Sequence, residues 1–308
     1  MKLYVGVTDK NWYEQLKAAE AKEANFWRPG TSPFRALDEG DLFLFKLHAP
    51  FNFIVGGGFF VSYSLLPTFL AWDAFGTTNG VQSLDELNSR IAKYRGRNDI
   101  SMSNPEIGCI ILTDCFWLDE SQWIPQPEDW KTNTVQGKVY SDSNEIGKSL
   151  FKAVQEKVSL SEQSLIVSSA NIPNGERYSY GKARHRLGQG AFRVLVTDAY
   201  SRRCAITGEK TLPVLQAAHI KPYNKEGPHL IENGILLRSD FHTLFDDGYI
   251  TITTDYRIEV SDKLHADYGN GKDYYRYHGQ NLLIMPDSPV NYPSPEFLRY
   301  HNETVYKG

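Results

Sequence analysis

Apolar positions fall into short unbroken runs in the first part of the chain and into helical spacings later. Leu3 to Val7, Leu42 to Leu47, Phe59 to Tyr63 and Ile107 to Leu112 are aliphatic and aromatic runs bounded by turn signals, which predicts strands. Between the first two, Asn11-Trp12-Tyr13-Glu14 sets an Asn at a cap with Glu three residues on. This predicts a helix that continues through charged, Ala-rich residues to about Ala24. The Gly40-Asp41 turn and the Gly56-Gly57-Gly58 triplet predict a curved, bulged sheet closing on itself, because repeated glycines in strands mark bends or close backbone approach. Trp117, Trp123 and Trp130 are expected in an aromatic loop after the last of these strands.

After about Tyr140 the pattern changes. Ser, Asn, Gln and Glu dominate, a helical pattern covers Glu145 to Val158, and Ser168 to Gly175 reads as a connector. The expected organisation is an α+β protein of two domains, residues 1–140 and 181–308, joined by a helical linker over 141–180. No repeat of solenoid or propeller period is visible.

Composition narrows the class. Of the 308 residues 41% are apolar and 13% aromatic, enough for packed cores and contrary to disorder or a fibrous protein. Cys109, Cys115 and Cys204 are too few and scattered for a disulfide framework or a four-thiolate zinc site, so a reducing, cytoplasmic setting and no structural zinc are expected. Asp9 falls where a secretion signal needs apolar residues. The uncharged stretch Leu47 to Trp72 is broken by Pro50, Asn52, the glycine triplet and Pro67, so it reads as strands and no membrane partner is expected.

The formal net charge is −4, and neither half is strongly basic. The local exception is Lys182 to Arg203, where Lys182, Arg184, Arg186, Arg193, Arg202 and Arg203 face Asp198 alone. The five arginines are candidates for phosphate contacts; the same pattern also fits a solvated helix face.

The chemistry concentrates in Gln216-Ala217-Ala218-His219-Ile220, Glu232-Asn233-Gly234 and His242-Thr243-Leu244-Phe245-Asp246. Val214–Ile220 and Gly234–Leu237 read as the strands of a hairpin, and Ser239 to Gly248 as a short helix. On that helix His242 and Asp246, at i and i+4, share one face. A divalent cation on His242 and Asp246 with His219 as base suits phosphodiester hydrolysis. Taken one at a time, these residues also fit a core histidine, a turn and a surface helix pair. His185, His229, His265 and His278 have no partner at ligand spacing and read as surface or packing residues.

The order His219, Asn233, His242, with intervals of 14 and 9 residues, resembles the His-Asn-His (HNH) endonucleases, whose motif sits on a two-strand-plus-helix metal finger. The resemblance implies His219 as general base, Asn233 as the residue that pins the intervening loop, and His242 with Asp246 as ligands of Mg²⁺ or Mn²⁺. Two departures stand out. Ala218 occupies the place where many relatives carry a further Asp or His ligand, and Cys204 has no second thiol for a zinc knuckle.

In the first part, Asn25-Phe26-Trp27-Arg28 and Leu70-Ala71-Trp72-Asp73 read as loops at strand ends. With the Gly40–Phe45 and Ile54–Phe60 runs they resemble the EVE branch of the PUA-like superfamily, small barrels related to the YTH readers of methylated adenine. The resemblance implies an aromatic cage walled by Trp27 and Trp72, with Asp9 and Asn11 near the base edge; Asn11 also fits a helix cap. Trp12, Trp117, Trp123 and Trp130 are further candidates for a wall, or core residues.

A reader of this kind joined to an HNH nuclease resembles the modification-dependent restriction endonucleases of bacteria. That resemblance implies double-stranded DNA carrying 5-methylcytosine or 5-hydroxymethylcytosine as substrate, base flipping, and a homodimer, at least on DNA. Other readings are an HNH nuclease guided by methyladenine or a backbone modification, one acting on RNA, a catalytically silent binding protein, or an enzyme of small phosphoesters.

Overall fold

The computed structural model describes residues 2–96, 104–161 and 187–308. The chain forms two compact units, Met1–Arg186 and Leu187–Gly308. The first contains β1 (Lys2–Thr8), α1 (Lys10–Ala18), β2 (Glu23–Arg28), β3 (Leu42–Leu47), β4 (Phe53–Pro67), α2 (Thr68–Phe75), α3 (Leu84–Tyr94), β5 (Glu106–Trp117), β6 (Ile124–Pro125), β7 (Gly137–Ser141) and α4 (Glu145–Ser161).

Its strands form one mixed sheet in the order β2-β5-β4-β3-β1-β7, with β6 added along β4. β1 and β3 run parallel and the other pairs antiparallel. Among the described residues β2 and β7 are its edges, so strand pairing does not close the expected barrel. Register shifts at Phe45/Lys46, Gly57/Phe59 and Phe60/Ser62 introduce the bulges that bend and twist such a sheet. The glycine triplet lies inside β4 and does not end it: a Cβ on Gly56 would stand 2.4 Å from the Phe116 carbonyl oxygen.

β3 is buried throughout because it packs on both faces. Leu42 and Leu44 join Leu3, Val5 and Ile54 in one core, while Phe43, Phe45 and Leu47 join Trp12, Tyr13 and Leu16 of α1 in the other. A doubly covered strand has no polar face, which is why its sequence reads as a continuous apolar run. Leu150 and Val154 of α4 are buried in the first of these cores, so that helix packs as part of the first unit; the expected linker beyond Ser161, with the connector Ser168 to Gly175, lies outside the described residues.

Two local expectations are corrected. α1 begins at Lys10, and its cap is Asp9, whose Oδ1 accepts from the Trp12 backbone N–H at 2.8 Å; Asn11 is an exposed residue of the first turn. Residues Glu23–Arg28 form a strand. Ala24 and Phe26 join the α1 core, and Asn25 is buried by Asn79, whose side-chain oxygen accepts from its amide at 2.8 Å. A polar residue buried by a helical layer hides the strand's periodicity from the sequence.

The second unit contains α5 (Gln189–Ala199), β8 (Leu215–His219), β9 (Gly234–Arg238), α6 (Ser239–Asp246), β10 (Ile250–Ile252), β11 (Ile258–Val260), α7 (Lys263–Tyr268), α8 (Lys272–Tyr275) and α9 (Pro295–Thr304). β8 and β9 pair antiparallel with His219 opposite Gly234. Phe192, Val196, Tyr200, Ile235, Leu237, Phe241 and Phe245 form the core that holds α5 and α6 against the hairpin. No described helix is long and apolar enough to cross a membrane.

Candidate active site

The hairpin and α6 bring the motif residues of the second unit together. His219 ends β8, half-buried, and its ring stacks on Phe192 of α5 with centroids 3.9 Å apart and planes 13° from parallel. That approach requires Gly234 on the opposite strand, where a Cβ would lie 2.4 Å from Val196 and 3.1 Å from the Phe192 ring. Burial, then the neighbouring His229, push the His219 pKa down to about 4 against the opposing pull of Asp246, so the imidazole is neutral at physiological pH.

Asn233 is fully buried between the strands. Its Oδ1 accepts from the Lys221 backbone N–H at 2.8 Å, and its Nδ2 donates to the carbonyls of Lys221 at 3.0 Å and Pro228 at 2.9 Å. One side chain thus closes both ends of the loop between β8 and β9, satisfying backbone groups that burial would otherwise leave orphaned.

On α6, Nδ1 of His242 lies 2.7 Å from Oε1 of Gln216, an oxygen that can only accept, so Nδ1 carries the ring proton. The Nε2 lone pair therefore faces Oδ2 of Asp246, 3.2 Å away across one helical turn. Two electron-pair donors facing each other at this distance fit a shared cation, and an imidazole nitrogen with a carboxylate oxygen suits several divalent ions. Among the described residues no group of three or more His, Cys, Asp or Glu is gathered to hold a metal, so this pair would leave the rest of a coordination shell to water and phosphate.

Three participants escape sequence reasoning. Gln216 orients His242, Phe192 backs His219, and His229, read as a packing residue, sits with Nδ1 2.9 Å from His219 Nε2. Only an imidazole 10 residues from His219 in the same loop hinted at the last contact.

The basic stretch is not one continuous helix face. Arg184 and Arg186 lie outside the described residues. Arg193 is on α5, whereas Arg202 and Arg203 follow it in a turn with Ser201 and Arg202 at positive φ. Arg202 is paired with Asp198 at 3.1 Å, and Nε of Arg203 is buried without a hydrogen-bond partner among the described residues.

In the first unit Trp27 and Trp72 lie on β2 and α2, not in loops. They make no ring contact with each other among the described residues, but Asn79 links their elements. Its backbone oxygen accepts from the Trp27 indole at 2.8 Å, and its amide donates to the Ala71 carbonyl at 3.1 Å. Tyr94, 56% exposed at the end of α3, lies 6.1 Å from Trp27. Burial and then the charge of Asp9 raise the Tyr94 pKa, and Oδ2 of Asp9 is 3.7 Å from Arg90 of the same helix. Trp27, Tyr94 and Asp9 therefore cluster, while Asp9 is already engaged as a cap. Trp12 is a core residue and Trp117 stacks on Phe45, so neither is free to wall a cage. A separate cavity of about 240 Å³ is lined by Lys46, His48, Asn52, Gln126 and Trp130, and by neither Trp27 nor Trp72.

Residues 204–253 match the family model of the HNH endonucleases, a span that contains β8, β9, α6 and all four motif residues. No curated protein matches the sequence significantly. Among solved structures, a modification dependent TagI restriction endonuclease is similar at 13% identity over 92% of this chain and 76% of that one, with a TM-score of 0.28; a likeness that low carries no argument. The family match places an HNH endonuclease domain in the second unit, which makes the chain a DNA-hydrolysing nuclease; HNH nucleases in general use divalent metal ions.

Proposed function

We propose that this endonuclease is modification-dependent, of the restriction type: the first unit flips and reads a modified cytosine, and the second cuts the DNA. The observation that carries the cutting half is a neutral His219 on the hairpin beside a His242–Asp246 pair whose lone pairs face one another. His219 takes a proton from the attacking water, and Asn233 fixes the loop that follows. His242 and Asp246 hold the divalent ion, Mg²⁺ or Mn²⁺, which when bound neutralises charge on the phosphate and the leaving alkoxide. Arg193, Arg202 and Arg203, with Arg184 and Arg186, track the DNA backbone.

The reading half rests on the half-buried Trp27 with the exposed Tyr94 beside it. Trp27 and Trp72 wall the base, and Asp9 and Asn11 supply polar groups at the start of α1. Each aromatic stack gains about 1–3 kcal/mol, which offsets the few kcal/mol needed to unpair a base. One finger nicks one strand, so a double-strand break uses two copies of the chain.

One duplex made with cytosine, 5-methylcytosine or 5-hydroxymethylcytosine, incubated with Mg²⁺, Mn²⁺ or EDTA, tests this reading. Metal-dependent cutting confined to a modified duplex is expected. Equal cutting of all three would leave the nuclease and remove the cytosine reader.

A further inference from the structure

A hydrogen bond between two neutral imidazoles needs one N–H and one lone pair, and the contact between His219 and His229 offers two arrangements. In one, His229 donates from Nδ1 and occupies the Nε2 lone pair of His219, whose proton then sits on Nδ1. Such a ring has no lone pair left for a water molecule. In the other, His219 donates its Nε2–H to Nδ1 of His229, and its own Nδ1 lone pair is open. Nδ1 of His219 makes no hydrogen bond among the described residues, and Phe192 covers one face of the ring.

His229 is itself held in place. Asn233 donates to the carbonyl of Pro228, the residue before it, at 2.9 Å, and Tyr223 stacks on its ring with centroids 4.4 Å apart and planes 14° from parallel. The buried asparagine of the motif is therefore connected to its first histidine through a second histidine that the motif does not contain.

We propose that His229 is the positioning residue of the base: its Nδ1 accepts the Nε2–H of His219 and fixes the tautomer and ring orientation that leave the His219 Nδ1 lone pair open to water. This rests on the reading of His219 as general base. In the step, the water O–H bond breaks and its proton goes to Nδ1 of His219. The freed electron pair forms the new P–O bond as the ester P–O bond breaks. The imidazolium so formed keeps its Nε2–H on His229, and the neutral acceptor requires no second proton transfer. A group that orients a functional histidine in this way selects its tautomer, a role usually taken by a carboxylate or a backbone carbonyl.

The test uses the full chain, on the duplex that the wild type cuts fastest, and compares His229→Ala, His229→Asn and His219→Ala by single-turnover cleavage rate and DNA affinity. The Oδ1 of an asparagine stands two bonds from Cβ, as Nδ1 of histidine does, and accepts a hydrogen bond. His229→Ala is expected to slow cleavage about 10- to 100-fold with DNA affinity unchanged, and His229→Asn to recover most of that loss. Long-range ¹⁵N–¹H spectra of the wild type are expected to show His219 protonated at Nε2. A wild-type rate for His229→Ala while His219→Ala is inactive, or a His219 proton on Nδ1, would overturn the inference alone. A wild-type rate for His219→Ala would remove the base reading on which it rests.

Discussion

The two units build their candidate sites differently. In the second unit, the four motif side chains come from one hairpin and the helix that follows it, within 28 residues from His219 to Asp246. Short-range geometry fixes them: strand pairing sets His219 opposite Gly234, and the helical repeat sets His242 beside Asp246. In the first unit, Trp27, Trp72 and Tyr94 come from β2, α2 and α3; Asn79 ties β2 to α2, and Tyr94 lies 6.1 Å from Trp27, but Trp27 and Trp72 make no ring contact among the described residues. A constellation built within one supersecondary motif survives as a spacing in the sequence, whereas one assembled across elements survives only as composition.

The sharpest way to break this contrast is at its most local point. His219→Ala is expected to lower the cleavage rate about 10²- to 10⁴-fold, the usual contribution of a general base, without changing the preference among modified duplexes. Single-turnover kinetics on paired duplexes checks both statements. Asn233→Ala comes next. It leaves three backbone groups of Lys221 and Pro228 without their partner, so a stability loss of about 1–3 kcal/mol and a lower rate are expected together, read by denaturant unfolding and the same assay.

The smallest effect is a pH dependence of stability. Burial depresses the pKa of His301 from 6.5 to about 4, where Thr251 and the Phe245 carbonyl bond its ring. The unfolded chain takes up a proton near 6.5 and the fold resists it until about 4, so between these values the unfolded state binds more protons. His301 and His219 therefore favour the fold fully above pH 6.5, and that contribution is lost as pH falls toward 4. Tm is expected to decline across this window, and less steeply in His301→Gln; equal slopes would contradict the burial argument.

Legibility in the sequence followed the same division. β3, the β8–β9 hairpin and α6 were readable because each has a single period or an unbroken run with clear ends. β2 was not, because Asn25 is buried by Asn79 and breaks its apolar pattern, so the segment reads as a loop. The start of α1 shifted from Asn11 to Asp9 because two adjacent cap-forming residues compete, and only the backbone shows which oxygen meets the Trp12 N–H. Within the site, Gln216, Phe192 and His229 act through contacts between segments, and no spacing rule encodes a histidine that meets another across a loop. The edges at β2 and β7, open among the described residues, were equally hidden, since glycine-rich strands signal bending without saying whether the sheet closes.

On the function proposed above, cutting and reading are separable, one in each unit. The most direct measurement is binding and cleavage of the same duplex, with and without modified cytosine, by His219→Ala and by Trp27→Ala/Trp72→Ala. The first variant is expected to bind the modified duplex in preference and to cut neither, and the second to cut both at similar rates. Loss of binding preference in the first, or an unchanged preference in the second, would contradict that separation.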